Sequence, residues 1–88
     1  MTKNQIISNT LRWCNAQRKK QSKKPLLKLP KGHRGKPESC PCGKATGLCV
    51  GYSLAYDNKT GKSIRMLPES VRRFVLMFDG GQIPELEE

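Results

Sequence analysis

The chain has few aromatic residues and no long apolar run. One Trp, two Tyr and two Phe are all the aromatic residues among 88, and hydrophobic residues reach only 35%. No stretch approaches the roughly 20 consecutive apolar residues of a membrane-spanning helix. Residues 1–10 also lack the continuous apolar segment of a secretory signal. We therefore expect a cytoplasmic protein that has no membrane partner.

Acidic residues are missing from the first part of the chain. Residues 1–37 contain eleven Lys or Arg and no Asp or Glu, whereas residues 38–88 contain six basic and seven acidic residues. Such a concentration of positive charge indicates a polyanionic partner. We expect a single domain, 1–88, that consists of a strongly basic helix and loop (1–37), a body (38–81) and an acidic tail (82–88).

The middle of the chain has too few large apolar side chains to build a core. A domain of this size buries only about 60% of its unfolded surface, and small scaffolds usually add disulfides or a metal. The four cysteines are the candidates for either role. In a reducing compartment thiols bind metal more often than they form disulfides. An exported protein with two disulfides is the alternative.

One histidine and three cysteines lie within seventeen residues in the pattern His33-x6-Cys40-x-Cys42-x6-Cys49. Three thiolates and one imidazole satisfy the tetrahedral preference of zinc. A closed set of this kind leaves no position for a substrate, so its role would be structural. The spacing therefore predicts a structural zinc ion on these four residues.

The segment Cys40-Pro41-Cys42-Gly43 resembles the Cys-Pro-x-Cys-Gly turn of zinc ribbons and zinc knuckles, with one residue fewer between the cysteines. Cys14 competes with His33 for the fourth ligand position. It follows Trp13 on the apolar side of a predicted helix, and we interpret it as a buried core cysteine.

Apolar spacing predicts one helix at each end of the chain. Residues 4–21 follow the helical period, and Thr2 or Asn4 is the expected cap. Residues 68–79 place Val71, Phe74, Val75 and Phe78 on one face. The uninterrupted run 74–78 also suits a buried third strand, which is the alternative.

Residues 24–39 are rich in proline and glycine and predict a loop that zinc would anchor. Residues 48–67 alternate apolar and polar side chains around a turn at 57–61, which predicts a β-hairpin. We expect Cys49 on the face opposite the apolar one, and residues 82–88 as an exposed tail. The expected fold is a small α+β, zinc-stabilised domain with an N-terminal helix, a basic zinc-anchored loop, a β-hairpin and a C-terminal helix.

The basic residues of the first helix and loop are suited to contact phosphate, because Lys presents a point charge that reads no base. Base edges would be read by Arg12, Asn15, Gln17 or Arg18 on the helix. Trp13, Tyr52 and Tyr56 are candidate stacking residues, although Trp13 is better explained as core. The predicted nucleic-acid-binding residues are Arg12, Arg18, Lys19, Lys20, Lys23, Lys24, Lys28, Lys31, Arg34 and Lys36.

Catalysis finds little support in the sequence. A His–Cys pair would need a third group to orient the base, and none is evident. The zinc deaminase signature is also absent, because His33-Arg34-Gly35 lacks the glutamate. We therefore predict a non-enzymatic zinc protein that binds nucleic acid, DNA or RNA. The alternative is a small adaptor or inhibitor that docks onto an acidic surface of a partner, such as a nucleic-acid enzyme.

Overall fold

The computed structural model describes residues 1–57 and 60–88, with residues 63–65 described by their backbone alone. Its elements are α1 (Lys3–Lys20), α2 (Pro41–Thr46), β1 (Cys49–Val50), β2 (Leu54–Tyr56), β3 (Ser63–Met66), α3 (Glu69–Asp79) and a 3-10 helix (Pro84–Leu86). The three strands form one antiparallel sheet in the order β1-β2-β3. The predicted α+β class is confirmed, and stabilisation by zinc stays a prediction.

Helix α1 forms where the periodicity predicted it, and Thr2 is its cap. Gln5 N–H donates to Thr2 Oγ1 at 3.2 Å, and Thr2 N–H donates to Gln5 Oε1 at 2.8 Å. This reciprocal pair satisfies two backbone donors that the first turn would otherwise leave without partners. Trp13 lies in the core between α1 and its neighbours, as interpreted from the sequence.

Helix α2 was not predicted, since its six residues carry too short a pattern to detect. Cys40 caps it, and the Cys40 sulfur accepts a hydrogen bond from Gly43 N–H at 3.3 Å. Pro41 occupies the first turn, where its missing N–H costs nothing. Gly47 ends the helix in the left-handed region at φ 72°, which glycine adopts without strain.

The predicted first strand of the hairpin is two strands. The chain reverses at residues 51–53, where Gly51 N–H donates to the Leu54 carbonyl at 3.0 Å, and β1 then pairs with β2. The reversal changes which side chains are buried, so that Ala55 is fully buried while Tyr52 is exposed. The single apolar face expected along residues 48–56 was therefore wrong. Asn58 and Lys59, in the predicted turn, lie outside the described residues.

Helix α3 confirms the helical interpretation of residues 68–79 over a third strand. Its apolar face is buried, and the rings of Phe74 and Phe78 stack with centroids 6.2 Å apart. The helix packs against α1, and Gly80 is its C-cap. Among the described residues, none of the helices combines the length and the apolarity that crossing a bilayer requires.

Residues 82–88, hereafter the tail, do not form the exposed segment that was expected. Ile83 is fully buried in the core. Gly32 N–H donates to the Leu86 carbonyl at 2.8 Å, and Glu88 N–H donates to the Gly32 carbonyl at 3.0 Å. A Cβ at Gly32 would lie 2.4 Å from the Ser39 carbonyl oxygen, so this close approach needs glycine. The acidic tail is thereby docked at Gly32, within the basic residues 1–37.

Candidate functional site

The segment 21–31, hereafter the basic loop, is bound along α1. Asn15 Nδ2 donates to the Leu26 carbonyl at 3.0 Å, and Leu26 N–H donates to Asn15 Oδ1 at 2.8 Å. Arg18 Nε donates to the Lys24 carbonyl at 2.7 Å. Leu29 is buried and attaches the far end of the loop to the core. A segment without regular secondary structure is thus held at several backbone positions.

The basic loop begins at the C-terminus of α1. Lys23 N–H donates to the Arg18 carbonyl at 2.9 Å, and Ser22 N–H donates to the Lys19 carbonyl at 3.0 Å. These two bonds are the pattern of a Schellman cap. Ser22 adopts φ 59° there, in the left-handed region that non-glycine residues rarely occupy. Gln21 Nε2 adds a hydrogen bond to the Thr46 carbonyl at 2.7 Å, which ties the turn to α2.

Eight of the ten predicted nucleic-acid-binding residues are exposed cations that form no ion pair within residues 1–57 and 60–88. We call them the open basic region. Its members are Arg12, Lys19, Lys20, Lys23, Lys24, Lys28, Lys31 and Lys36. Most of these residues lie on the last turn of α1 or on the basic loop, so the loop's attachment to α1 keeps their charges together.

The residues expected to read base edges are mostly used inside the fold, which corrects that prediction. Asn15 binds the backbone of the basic loop, and Gln17 is buried. Arg18 donates to backbone carbonyls, including that of Ala45 at 2.9 Å. Asn15 and Arg18 are used in this way because an irregular loop needs hydrogen-bond partners for its backbone, whereas Gln17 Nε2 is buried without a partner among the described residues. Arg12 alone of the four predicted base readers is exposed.

A second group of basic residues faces the tail, and we call it the paired basic region. It consists of Lys3, His33, Arg34 and Lys44, and Arg34 belongs to the predicted binding residues. The ion pairs are Lys3 Nζ–Glu85 (2.7 Å), Arg34 Nε–Glu87 (2.8 Å) and Lys44–Glu88, and His33 Nε2 lies 3.0 Å from Glu88 Oε2. The three glutamates of the tail therefore neutralise this region through intramolecular contacts.

The carboxylates of the tail respond to these cations. Lys3 lowers the pKa of Glu85 below its ordinary value. Lys44, with a smaller contribution from His33, lowers the pKa of Glu88. Both carboxylates are exposed, so solvent screens these pairs and each contributes little to stability. Their main effect is to reduce the positive charge that α1 and residues 32–44 present to a partner.

The four cysteines are free thiols and all are buried. Cys42 lies beside both Cys14 and Cys40, and the neighbouring Cys14 side chain, then Cys40 and burial, raises the pKa of Cys42 well above its ordinary value. Interaction with Cys42, together with backbone amides, lowers the pKa of Cys40 despite burial. The thiols of α1 and α2 thus meet in the core where the two helices pack.

The structure separates the other two predicted zinc ligands from this contact. Cys49 lies beside Tyr56, whose pKa it raises, and its sulfur is 4.0 Å from Glu38 Oε2. The His33 side chain is half exposed and pairs with the tail. Within the part of the chain that the structure describes, no three or more His, Cys, Asp or Glu side chains are arranged to hold a metal ion. The zinc site therefore stays a prediction.

A small cleft of about 100 Å³ lies beside Cys40, and Val50 and Val75 are also among its lining residues. Tyr52 and Asp79 also line it, and the carboxylate of Asp79 raises the pKa of Tyr52. Asp79 Oδ1 accepts a hydrogen bond from Gly35 N–H at 3.0 Å. The predicted stacking role of Tyr52 and Tyr56 remains untested, whereas Trp13 is buried and unable to stack on a base.

Comparison with known proteins found no matching family model, no matching curated protein and no matching solved structure. The function must therefore be argued from the residues of this chain. The two features that bear on it are the open basic region at the surface and the cysteine contact in the core. The first consists of exposed cations without ion-pair partners among the described residues, and the second is buried in the core.

Proposed function

We propose that the protein binds nucleic acid through the open basic region. The observation that carries the proposal is a group of exposed cations without intramolecular partners among the described residues, next to a group that the tail neutralises. A surface that keeps its charge unpaired attracts an external anion, and a phosphate backbone supplies anions in a row.

Lysine dominates the open basic region, and Arg12 is its one arginine. Lys contacts phosphate as a point charge, whereas base discrimination usually needs Arg, Asn or Gln in bidentate geometry. Because Asn15 and Arg18 are occupied by the basic loop, binding is expected to tolerate many sequences. The expected role is therefore that of a backbone-binding, non-enzymatic protein.

The competing proposal is an adaptor that docks onto an acidic protein surface. It uses the same cations, so the charge of the open basic region does not separate the two. The geometry of the partner separates the two proposals, because phosphates repeat at short intervals along a rigid axis, whereas carboxylates on a protein surface are irregularly spaced. Titration against polyglutamate beside a DNA duplex, a DNA single strand and an RNA duplex compares the two classes directly.

Fluorescence anisotropy with labelled duplexes over a salt series tests the proposal. We expect binding at near-physiological salt, with log affinity falling by about 0.9 per phosphate contact per log unit of salt for a duplex. Similar affinities for unrelated sequences are also expected. Absence of binding to DNA and RNA at that salt, or tighter binding to polyglutamate, would overturn the proposal in favour of the adaptor.

Structural zinc is a separate proposal that the cysteines support by composition. If zinc is bound, the contact between Cys42 and Cys14 favours Cys14 over His33 as a ligand. Native mass spectrometry with and without chelator on the wild type, Cys14→Ser and His33→Ala tests this. We expect one zinc ion that His33→Ala retains and Cys14→Ser loses. No bound metal, with an unchanged melting curve after chelation, would end the zinc proposal.

A further inference from the structure

Leu27 is an apolar side chain that the basic loop holds out into solvent. It is 99% exposed, more than any other large hydrophobic residue that the structure describes. Its neighbours in the chain are fixed, because Leu26 is hydrogen-bonded to Asn15 through both its N–H and its carbonyl. Leu29 is buried only two positions later. Leu27 is therefore exposed in a segment that is attached to the fold on both sides of it, and not in a freely moving loop.

The surroundings of Leu27 are cationic. Lys24 and Lys28 are the nearest basic residues in sequence, Lys23 and Lys31 follow, and all four are exposed members of the open basic region. A hydrophobic side chain among lysines is unfavourable for packing against another apolar surface, since the lysines would lose their hydration. It is suited to a partner that offers phosphates on the outside and apolar ring faces between them.

We propose that Leu27 inserts as a wedge between base pairs of double-stranded DNA from the minor groove, and that the duplex bends there. The lysines on either side would contact the flanking phosphates. Inserted apolar side chains of this kind partly unstack a base step and kink the duplex toward the major groove. The inference rests on the proposed function and adds a substrate class and a mode of binding to it.

The described residues favour duplex DNA over a single strand or an RNA duplex. Single-strand binding depends on aromatic side chains on which the bases stack. Residues 19–31 contain no aromatic residue, and Trp13 on the adjoining helix is buried. The minor groove of an RNA duplex is wide and shallow and is contacted mainly through its hydroxyls and phosphates. The leucine side chain itself has no donor or acceptor for those hydroxyls.

The rigid attachment supports insertion. A wedge must keep its position while the base step opens, and ordering a mobile loop on binding would reduce the affinity. The contacts of Asn15 with Leu26 and of Arg18 with Lys24 provide this order before the DNA arrives. The backbone on the N-terminal side of Leu27 is therefore held before binding, which lowers the ordering cost of insertion.

Fluorescence measurements on a labelled DNA duplex test the inference. The duplex carries a donor and an acceptor dye at its ends and an aminopurine reporter at a central TA step. We expect the wild type to shorten the end-to-end distance and to brighten the aminopurine. Leu27→Ala should abolish both signals and weaken binding by about tenfold, with an unchanged salt slope. Leu27→Met should restore the bend. Leu76→Ala, an exposed leucine on α3, is the matched control and should bend DNA like the wild type.

The outcomes separate the inference from the proposed function. Salt-dependent binding of the wild type without bending or unstacking would overturn the wedge and leave nucleic-acid binding intact. No DNA binding at all would overturn both. Equal bending by Leu27→Ala would also overturn the wedge. Tighter binding to vesicles of anionic lipid than to DNA, abolished in Leu27→Ala, would overturn it by showing that the leucine enters a membrane surface.

Discussion

The open basic region and the paired basic region are made of the same residue types and differ in what faces them. In the paired basic region each of Lys3, Arg34 and Lys44 contacts a glutamate of the tail. The open basic region, most of which lies at the end of α1 and on the basic loop, has no such partner among the described residues. The contrast teaches that positive charge along a chain becomes a binding surface only where the fold leaves it unpaired.

The position of the tail explains this division. Ile83 is buried in the core and the backbone of Gly32 receives residues 86–88, so the glutamates have little freedom to reach the basic loop. Apolar burial and two backbone hydrogen bonds thus determine which cations are neutralised. The ion pairs follow from this docking, since exposed pairs are too weak to drive it.

The largest expected effect comes from removing charge from the open basic region. Lys23→Ala/Lys24→Ala/Lys28→Ala should weaken duplex binding by about a hundredfold at moderate salt and reduce the salt slope by about 0.9 for each phosphate that is no longer neutralised. The matched variant with the same net charge is Lys3→Ala/Arg34→Ala/Lys44→Ala, which should keep the slope. Anisotropy over a salt series measures both. Equal weakening in the two variants would mean that net charge alone governs binding.

The next effect concerns the attachment of the basic loop. Asn15→Ala removes two hydrogen bonds to Leu26 and should lower the free energy of unfolding by about 1–3 kcal/mol. Chemical denaturation measures the change, and hydrogen exchange at the Leu26 amide should accelerate. Asn4→Ala, which changes an exposed asparagine of the same helix, is the control and should change stability little. Unchanged exchange at Leu26 would contradict the bound loop.

A smaller effect should follow from releasing the paired basic region. Glu85→Gln/Glu87→Gln/Glu88→Gln frees Lys3, Arg34 and Lys44 for phosphate. We expect tighter duplex binding, by roughly tenfold or less, with a steeper salt slope. Glu69→Gln, which breaks the pair with Arg73 on α3, is the control for added positive charge. If Glu69→Gln tightened binding as much as the triple variant did, the tail would have no special role.

Ser22 offers a test of the turn that starts the basic loop. Ser22→Gly relieves a side chain from φ 59° and should stabilise the protein by about 0.5–1 kcal/mol. Ser8→Gly, in the interior of α1, should destabilise it by a similar amount, because glycine there loses more backbone entropy. Thermal unfolding of both variants measures the difference. Destabilisation by both would place Ser22 outside the left-handed region.

The smallest effect is the pH dependence of the tail. The folded-state pKa values of Glu85 and Glu88 lie below their ordinary value of 4.5. Their contribution to stability is therefore present above that value and is lost as the pH falls through the lowered one. A carboxyl NMR titration should show both midpoints below 4.5. Midpoints at or above 4.5 would mean that the pairs do not persist in solution.

Much of the helical structure was predictable from the sequence. Thr2, the periodicity of α1 and the apolar face of α3 are local signals, and each acts within a few residues. The short elements were less accessible, because α2 spans six residues and β1 only two. The reversal at Gly51 converts one predicted strand into two, and an alternating pattern carries no sign of it. Local periodicity does not indicate where one strand ends and the chain reverses to form the next.

The candidate sites show the same limit. The basic residues were identified by charge alone, but the roles of Asn15 and Arg18 depend on where the loop returns to α1. The cysteine spacing favoured His33 with the three later cysteines, whereas the packing of α1 on α2 brings Cys14 to Cys42. Sequence proximity is a poor guide there, since Cys14 is distant in the chain and becomes adjacent only when the two helices pack.

The amino-acid sequence by itself determined the two terminal helices, the α+β class and the segregation of positive charge, since these depend on local periodicity, capping and composition. The tertiary structure alone decided which cations remain open, which cysteines meet and how far Leu27 projects. Those properties depend on contacts between residues far apart in the chain. Burial of Ile83, the packing of α1 on α2 and the bonds of Asn15 to Leu26 fix them, and none of these is encoded in a local pattern.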